Sequence, residues 1–490
     1  MLQYISLVWM QILEIQHQSI NNKMNRSVHL EKKLIAAATI NNMIKLNIKN
    51  THLIKSFTIA FLLLCPFFLL SQTTGKDSLL QEVTLKNAIN YAIVHQPKIQ
   101  QSIVDEQILE TTIKSKLADW YPQINFNFIQ QENFLLPQTT IGGNLVKLGV
   151  NHSTAGQFTF TQNIFNKDVL LASHSKDDVR LRAKQNTSNN KIDLAVEVSK
   201  AYYDVLATLQ QIKVSEANIL RIEQSLKDAY NQYKSGIADK IDYKRATISL
   251  NNSKATKRTN EELLKAKLEY LKSLMGYPVS ASLNIVYDSL QMENEISLDT
   301  MQVADYSARI EYKLLSTQKN LLQYNLKYNK WSYLPTITAN GAYNLNFQSN
   351  NFNQLYASSF PTSFVALNLG IPIFQGGKRK ANVQAAELDL ERNELDFAYL
   401  KSAVSSAYTQ ALAMYKSNLL NYLTLKENMG MAKEVYDIIQ MQYRSGIKTY
   451  LEVITSETDL RTSEINYYTA LYQLLASKVD VQKELGQINY

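Results

Sequence analysis

Along much of the chain the apolar positions recur every seven residues. Val198, Val205, Ile212, Ile219, Leu226 and Tyr233 form one such line, and Tyr408, Tyr415, Tyr422, Met429, Tyr436 and Tyr443 form another. Val453, Leu460, Tyr467, Leu474 and Val481 make a third. Tyr243, Leu250, Leu264 and Leu271 make a fourth, interrupted only by Lys257. Sustained seven-residue spacing keeps one stripe of a helix facing a partner helix. The pattern therefore predicts long coiled-coil-like helices over about 168–234 and 378–444, each followed after a Gly turn by a helix returning to Gly276 or Gly486. At about 1.5 Å per residue, each long helix reaches roughly 100 Å.

Other stretches carry a period of two. Ile337, Ala339, Gly341, Tyr343, Leu345 and Phe347 alternate with Thr338, Asn340, Ala342, Asn344 and Asn346, and Val365, Leu367, Leu369 and Ile371 alternate with Phe364, Ala366, Asn368 and Gly370. Ile124, Phe126 and Phe128 alternate with Asn125 and Asn127, and Phe158 and Phe160 with Gln157, Thr159 and Thr161. These four segments predict strands, linked by loops over 133–155 and 348–360. Segments of about ten residues, apolar on one face and amide-rich on the other, suit a transmembrane β-barrel, although a half-buried strand of a soluble sandwich alternates in the same way.

The two kinds of pattern occur twice in the same order. Tyr233-Lys234-Ser235-Gly236-Ile237 recurs 210 residues later as Tyr443-Arg444-Ser445-Gly446-Ile447, and Ile241-Asp242 corresponds to Leu451-Glu452. Leu274-Met275-Gly276 faces Glu484-Leu485-Gly486, Trp120-Tyr121-Pro122 resembles Tyr333-Leu334-Pro335, and Ile164-Phe165 resembles Ile373-Phe374. Each half reads as a helix (about 84–118, then 301–331), two strands, a long helix and a return helix. The expected division is a leader over 1–71, a first repeat over 72–290 and a second over 291–490.

Composition supports regularity. The 490 residues include only 14 Gly and 8 Pro, with no Pro between Pro137 and Pro278 and no Gly between Gly377 and Gly430. The single Cys excludes a disulfide framework. The net charge of +8 suggests nucleic acid until it is located: five of those charges belong to 1–71, and the remainder form no basic cluster of the kind phosphate recognition requires. Residues 57–70, FTIAFLLLCPFFLL, are a 14-residue apolar run preceded by Lys45, Lys49 and Lys55 and followed by Ser71. That is short for a membrane span and has the form of a secretory signal peptide cleaved near Ser71, with Cys65 inside its core. Met43 gives a leader of ordinary length, which makes 1–42 a candidate start-site artefact. The mature chain is then exported and lacks cysteine.

No catalytic constellation emerges. His95, His152 and His174 lack metal-ligand spacing, and Gly376-Gly377-Lys378-Arg379 lacks the spacing of a phosphate-binding loop. Asp177-Asp178 and Glu261-Glu262 are adjacent on predicted helices and so share no face. Four strands cannot close a barrel in lipid, so the chain must oligomerise; two copies give eight strands and three give twelve.

The signal peptide, the tandem halves, the order of elements and the Tyr-x-Ser-Gly-Ile turns together resemble the TolC-like outer-membrane efflux family over about 79–490. Thr84-Leu85-Lys86-Asn87-Ala88-Ile89 and Ile371-Pro372-Ile373-Phe374-Gln375-Gly376-Gly377 support the resemblance. It implies a mixed α+β membrane protein: a homotrimer in the outer membrane of a Gram-negative bacterium, with a twelve-stranded β-barrel continuing into a long periplasmic α-helical barrel. The implied role is a passive duct for tripartite efflux or type I secretion of small molecules or polypeptides. Its implied partners are a periplasmic adaptor, an inner-membrane pump and outer-membrane lipid, without nucleic acid, cofactor or metal. The resemblance places adaptor docking at Gly236, Ile237, Gly446 and Ile447. It places the periplasmic gate at Asp242, Tyr443, Lys448 and Glu452, with Lys448 pairing with Asp242, Glu452 in an acidic ring and Tyr443 as gate tyrosine. Thr455 departs from a second acidic ring position. From the residues alone, Lys448, Asp242 and Glu452 read rather as capping or solvated charges near helix ends. The competing function is a periplasmic or secreted coiled-coil scaffold without channel activity, which needs no detergent for extraction.

Overall fold

The computed structural model describes residues 82–286 and 289–488, so the predicted leader and Cys65 lie outside the described residues. Thr84 caps helix α1 (Leu85–His95) by accepting the Asn87 N–H at 3.3 Å. The sequence pattern suggests one helix over 84–118, but the residue before Pro97 leaves the helical region, with Gln96 at ψ 120, and Pro97 opens a second helix, α2 (Pro97–Ala118).

Four strands form one antiparallel sheet: β1 (Gln123–Glu132), β4 (His152–Phe165), β5 (Thr336–Ser349) and β6 (Ser359–Gly370), in the spatial order β1-β4-β5-β6. The segment 133–155, expected to be a loop, instead holds the start of β4 and a small hairpin, β2 (Gln138–Ile141) and β3 (Asn144–Lys147), turning at Gly142-Gly143. Both glycines have positive φ, as a two-residue hairpin turn requires. Directly opposed residues share a face, so the register shows where the alternation leads. Ile124, Phe160, Gly341 and Val365 form one row across the sheet, and Phe126, Phe158, Tyr343 and Ser363 the next. The opposite face has the row Asn127, Gln157, Asn344 and Thr362. One face is thus apolar across all four strands, and the other is lined with amides and hydroxyls.

Beyond β4 runs α3 (Lys167–Lys234), 68 residues long, which turns into α4 (Lys240–Met275). After the short α5 (Ser289–Asn294) come α6 (Ile310–Trp331), the strands β5 and β6, then α7 (Lys378–Arg444) of 67 residues and α8 (Tyr450–Glu484). α3 packs on α4, α7 on α8, and α8 joins the two hairpins by contacting α3. Among the described residues no helix is long and apolar enough to cross a membrane.

The seven-residue lines on α7 and α8 are buried or half-buried throughout. On α3 the line shifts along the helix. Val198 and Val205 are buried, but further down the continuous buried row is Thr208, Ser215, Ile222 and Ala229, whereas Tyr233 is exposed. Three of these four side chains are small or hydroxylated, and Ala229 leaves room for the Tyr443 and Tyr450 rings. Lys257, the break in the α4 line, is held by Glu216 at 3.0 Å and Glu261 at 3.5 Å.

The main core lies where residues 277–286 and 292–309 cross the helices, with Tyr202, Leu206, Leu271, Met275, Leu471, Leu474 and Leu475 fully buried. Tyrosine hydroxyls strap this crossing segment down. Tyr202 donates to the Val286 carbonyl at 3.0 Å, Tyr415 to Ile296 at 2.8 Å and Tyr408 to Gln302 at 2.5 Å. Glu293 accepts from Lys426 at 2.6 Å and from the Tyr467 hydroxyl.

Candidate functional site

Both long hairpins turn through the same backbone structure. At the first tip the Gly236 N–H donates to Tyr233 O at 3.0 Å and the Ile237 N–H to Gln232 O at 2.9 Å. At the second, Gly446 and Ile447 make the corresponding bonds to Tyr443 and Gln442 at the same distances. This is the Schellman helix end, whose left-handed residue is φ +74 at Gly236 and φ +76 at Gly446. In that motif the residue after the glycine commonly packs back on its helix, yet Ile237 is 78% and Ile447 72% exposed.

Just above the turns, Ala229 and Ala246 of the first hairpin pack against Tyr443, Tyr450 and Val453 of the second. The Tyr443 hydroxyl donates to Gln232 Oε1 at 3.0 Å, tying the tip of α7 to the last turn of α3. Burial, with Asp242 and Asp228 nearby, pushes the Tyr443 phenol up to about 12, so it remains a neutral donor.

Within the chain Lys448 pairs with Glu452 rather than with Asp242: its ammonium lies 2.6 Å from Glu452 Oε1. Glu452 Oε2 also accepts the Thr449 N–H at 2.9 Å and its hydroxyl at 3.1 Å, which makes Thr449-x-x-Glu452 a capping box at the start of α8. The Lys448 hydrogen bond and the Thr449 N–H hold the Glu452 carboxyl down to about 2. Asp242 is half-buried in the first turn of α4, close enough to Tyr443 to disfavour its ionisation. The Thr455 hydroxyl is turned onto its own helix, donating to Leu451 O at 3.0 Å.

The pattern reading passes over one carboxyl nearby. Glu457 is 3% exposed and its Oε1 has no hydrogen-bond partner; the Tyr450 hydroxyl is also unpartnered. The signal was there: Glu457 lies four residues after Val453 and three before Leu460, both on the buried line. Burial raises its carboxyl to about 7 against the opposing pull of Arg221 and Arg461. The folded chain therefore keeps a proton that the unfolded chain, at the usual 4.5, has released. Stability falls as pH rises through that window, by about 3 kcal/mol per chain in total. Glu457→Gln is expected to raise the thermal midpoint at pH 8 and leave it nearly unchanged at pH 5. An equal shift at both pH values would refute the assignment.

Comparison with known proteins agrees with this architecture. The sequence profile of the family described as outer membrane efflux protein matches residues 88–277 and 316–487. The outer membrane protein TolC of Salmonella enteritidis is 19% identical over 440 residues, covering 87% of this chain and 86% of the relative. The alkaline protease secretion protein AprF of Pseudomonas aeruginosa is 18% identical over 410 residues, covering 81% of each. A crystal structure of CusC, described in terms of folding and transmembrane channel formation, superposes with a TM-score of 0.66 at 15% identity, covering 85% of this chain and 95% of that one.

Proposed function

The chain belongs to the outer membrane efflux protein family, in the Gram-negative outer membrane, and on that basis we propose that three copies close into one export channel. The observation that carries this reading is the four-stranded sheet. It has one apolar face, and its outer strands β1 and β6 each leave a row of N–H and C=O groups without strand partners among the described residues. In hydrocarbon each unpaired group costs several kcal/mol, so the sheet must close. β1 of one copy pairs with β6 of the next around a threefold ring. Twelve strands leave room for a lumen lined by the Asn127, Gln157 and Asn344 face, whereas eight would be filled by side chains. A soluble scaffold has no use for such a sheet. The halves 72–290 and 291–490 are two copies of a duplicated unit, each giving two strands of the four-stranded sheet and one helical hairpin.

The hairpins continue the barrel into the periplasm. Solute passes down the duct without energy input from this chain; a pump in the inner membrane drives it, and a periplasmic adaptor docks on the exposed Ile237 and Ile447 beside Gly236 and Gly446. The cargo is small molecules or polypeptides, and a relative named for protease secretion keeps polypeptides in the range.

Lys448 works the gate by exchange. On Glu452 it is held within its own helix turn; on Asp242 it ties the second hairpin to a first hairpin and keeps the tip shut, with Tyr443 as the wedge between them. An exposed pair contributes up to about 1 kcal/mol, so three copies bias the gate by up to about 3 kcal/mol, or a hundredfold in open probability. Lys448→Ala combined with Asp242→Ala is expected to raise leak conductance in planar bilayers. Glu452→Gln, which frees Lys448 for Asp242, is expected to lower it. Unchanged conductance in both variants would refute the gate.

A further inference from the structure

The outward apolar row of β6 does not stop where the strand does. Val365, Leu367 and Leu369 are exposed within the strand, and Ile371 and Ile373 continue the alternation past Gly370, with Phe374 beside them. Ile373 is 90% and Phe374 87% exposed. Four residues later come three consecutive cations, Lys378, Arg379 and Lys380, with no acidic residue in that first turn of α7. Arg379 is fixed in place: its guanidinium donates to Ile373 O at 3.0 Å and lies 4.7 Å over the Tyr333 ring. Lys378 and Lys380 are exposed and make no ion pair or side-chain hydrogen bond among the described residues. They do nothing for the helix, whose positive end they crowd.

The same end of the sheet gathers the junctions of the other strands. The register sets Gln123 beside Thr161, and Thr336 beside Gly370, so the β1, β4, β5 and β6 junctions line up. Trp120, Tyr121, Tyr333 and Leu334 are exposed there, and Lys167 lies 4.4 Å over the Tyr328 ring. Of the nearby acids, Asp168 is engaged by the Tyr328 hydroxyl at 2.7 Å, and Asp119 is exposed. At the opposite end of the sheet, the segments 133–151 and 350–358 hold one charged residue, Lys147. The clustered positive charge therefore sits at one boundary of the apolar face, against a single lysine at the other.

We propose that this collar binds anionic phospholipid of the periplasmic leaflet, with Lys378 and Lys380 against headgroup phosphates and Ile373 and Phe374 among the upper acyl chains. The inference rests on the channel reading, which makes the helical end of the sheet the periplasmic one. Aromatic side chains favour the headgroup level, and a cation there attracts anionic lipid by about fivefold each.

Trp120 and Trp331 are natural probes of the collar. The full chain carrying Trp9→Phe is reconstituted in phosphatidylcholine vesicles containing a small fraction of acyl-brominated phosphatidylglycerol or acyl-brominated phosphatidylcholine, and tryptophan quenching is measured. At equal mole fraction the brominated phosphatidylglycerol is expected to quench severalfold more strongly. Lys378→Gln with Lys380→Gln is expected to remove that excess and leave quenching by phosphatidylcholine intact. Equal quenching by both lipids in the unmodified collar overturns the proposal, as does an excess that survives the double substitution. Absence of quenching by either lipid puts the collar outside the bilayer and overturns the channel reading with it.

Discussion

Val365→Arg is expected to eliminate the assembled protein from outer membranes, while Ala366→Arg, its neighbour on the same strand, is expected to leave assembly intact. Val365 belongs to the row with Ile124, Phe160 and Gly341, and it is 87% exposed on the apolar face. Ala366 belongs to the row with Thr161 and Asn340 on the polar face. If the apolar face meets lipid as proposed, an arginine near its middle costs about 2–4 kcal/mol per chain, and the proposed closed ring of three carries that penalty three times. The resulting 6–12 kcal/mol, again only about that size, is comparable to the whole stability of an ordinary domain. On the lumen side the same cation stays hydrated, so Ala366→Arg is expected to change only ion preference, reducing cation conductance. Gel mobility of the outer-membrane fraction with and without heating, followed by single-channel recording of the surviving variant, checks both. Equal retention or equal loss of the two variants would show that the faces are not lipid and lumen.

Gly276→Ala is expected to be the most damaging single-methyl change in the helical part, and Gly486→Ala to be mild, although the two glycines end equivalent helices. Both are left-handed, at φ +66 and φ +69, and each alanine there costs about 1 kcal/mol for that conformation. The surroundings differ. A Cβ on Gly276 would lie 2.6 Å from His95 O and 2.8 Å from its carbonyl carbon, both backbone atoms that cannot step aside. It would also push apart the α1–α2 junction, where Gln96 Nε2 donates to Ser273 O and Leu274 O at 3.1 Å each. On Gly486 the nearest atom is Ala308 C at 3.5 Å, an ordinary contact. A loss of about 3 kcal/mol or more is expected for Gly276→Ala against about 1 for Gly486→Ala, measured by denaturant unfolding followed by helical circular dichroism. Equal losses would mean that the close approach of α1 carries no weight.

The sequence is most legible where one physical rule acts alone. α7 and α8 bury or half-bury apolar and tyrosine side chains at every seventh position, so hydrophobicity and geometry agree. Strand alternation survives into the register for the same reason: Ile124, Phe126 and Phe128 all fall on one face. α3 is harder to read below Val205, because the buried row there holds Thr208, Ser215 and Ala229, small or hydroxylated side chains that an apolar filter discards. The break at Gln96–Pro97 is written in the proline, which disfavours the helical conformation at the residue before it. The hairpin at Gly142-Gly143 was hidden in a segment too short to show a period. At the tips, the positive-φ glycines announced the turns. The engagement of Lys448 by Glu452 is a local capping matter, written in Thr449-x-x-Glu452 yet competing with a distant partner that sequence spacing cannot rank. Glu457 is a charged residue type set between Val453 and Leu460 on the buried face, where residue type and position disagree.

The matched turns at Gly236 and Gly446 end chains of unequal character. Tyr233 is exposed while its counterpart Tyr443 is buried, and exposed Lys240 corresponds to buried Tyr450. One hairpin offers a bed of Ala229 and Ala246, and the other presses two aromatic rings into it. The proposed ring of three chains would thus have six look-alike turns but only threefold chemistry at its mouth. A partner that recognises backbone shape alone meets six equivalent footholds, whereas one that recognises side chains meets two alternating sets of three. The stoichiometry of whatever caps the mouth reports which of the two it senses.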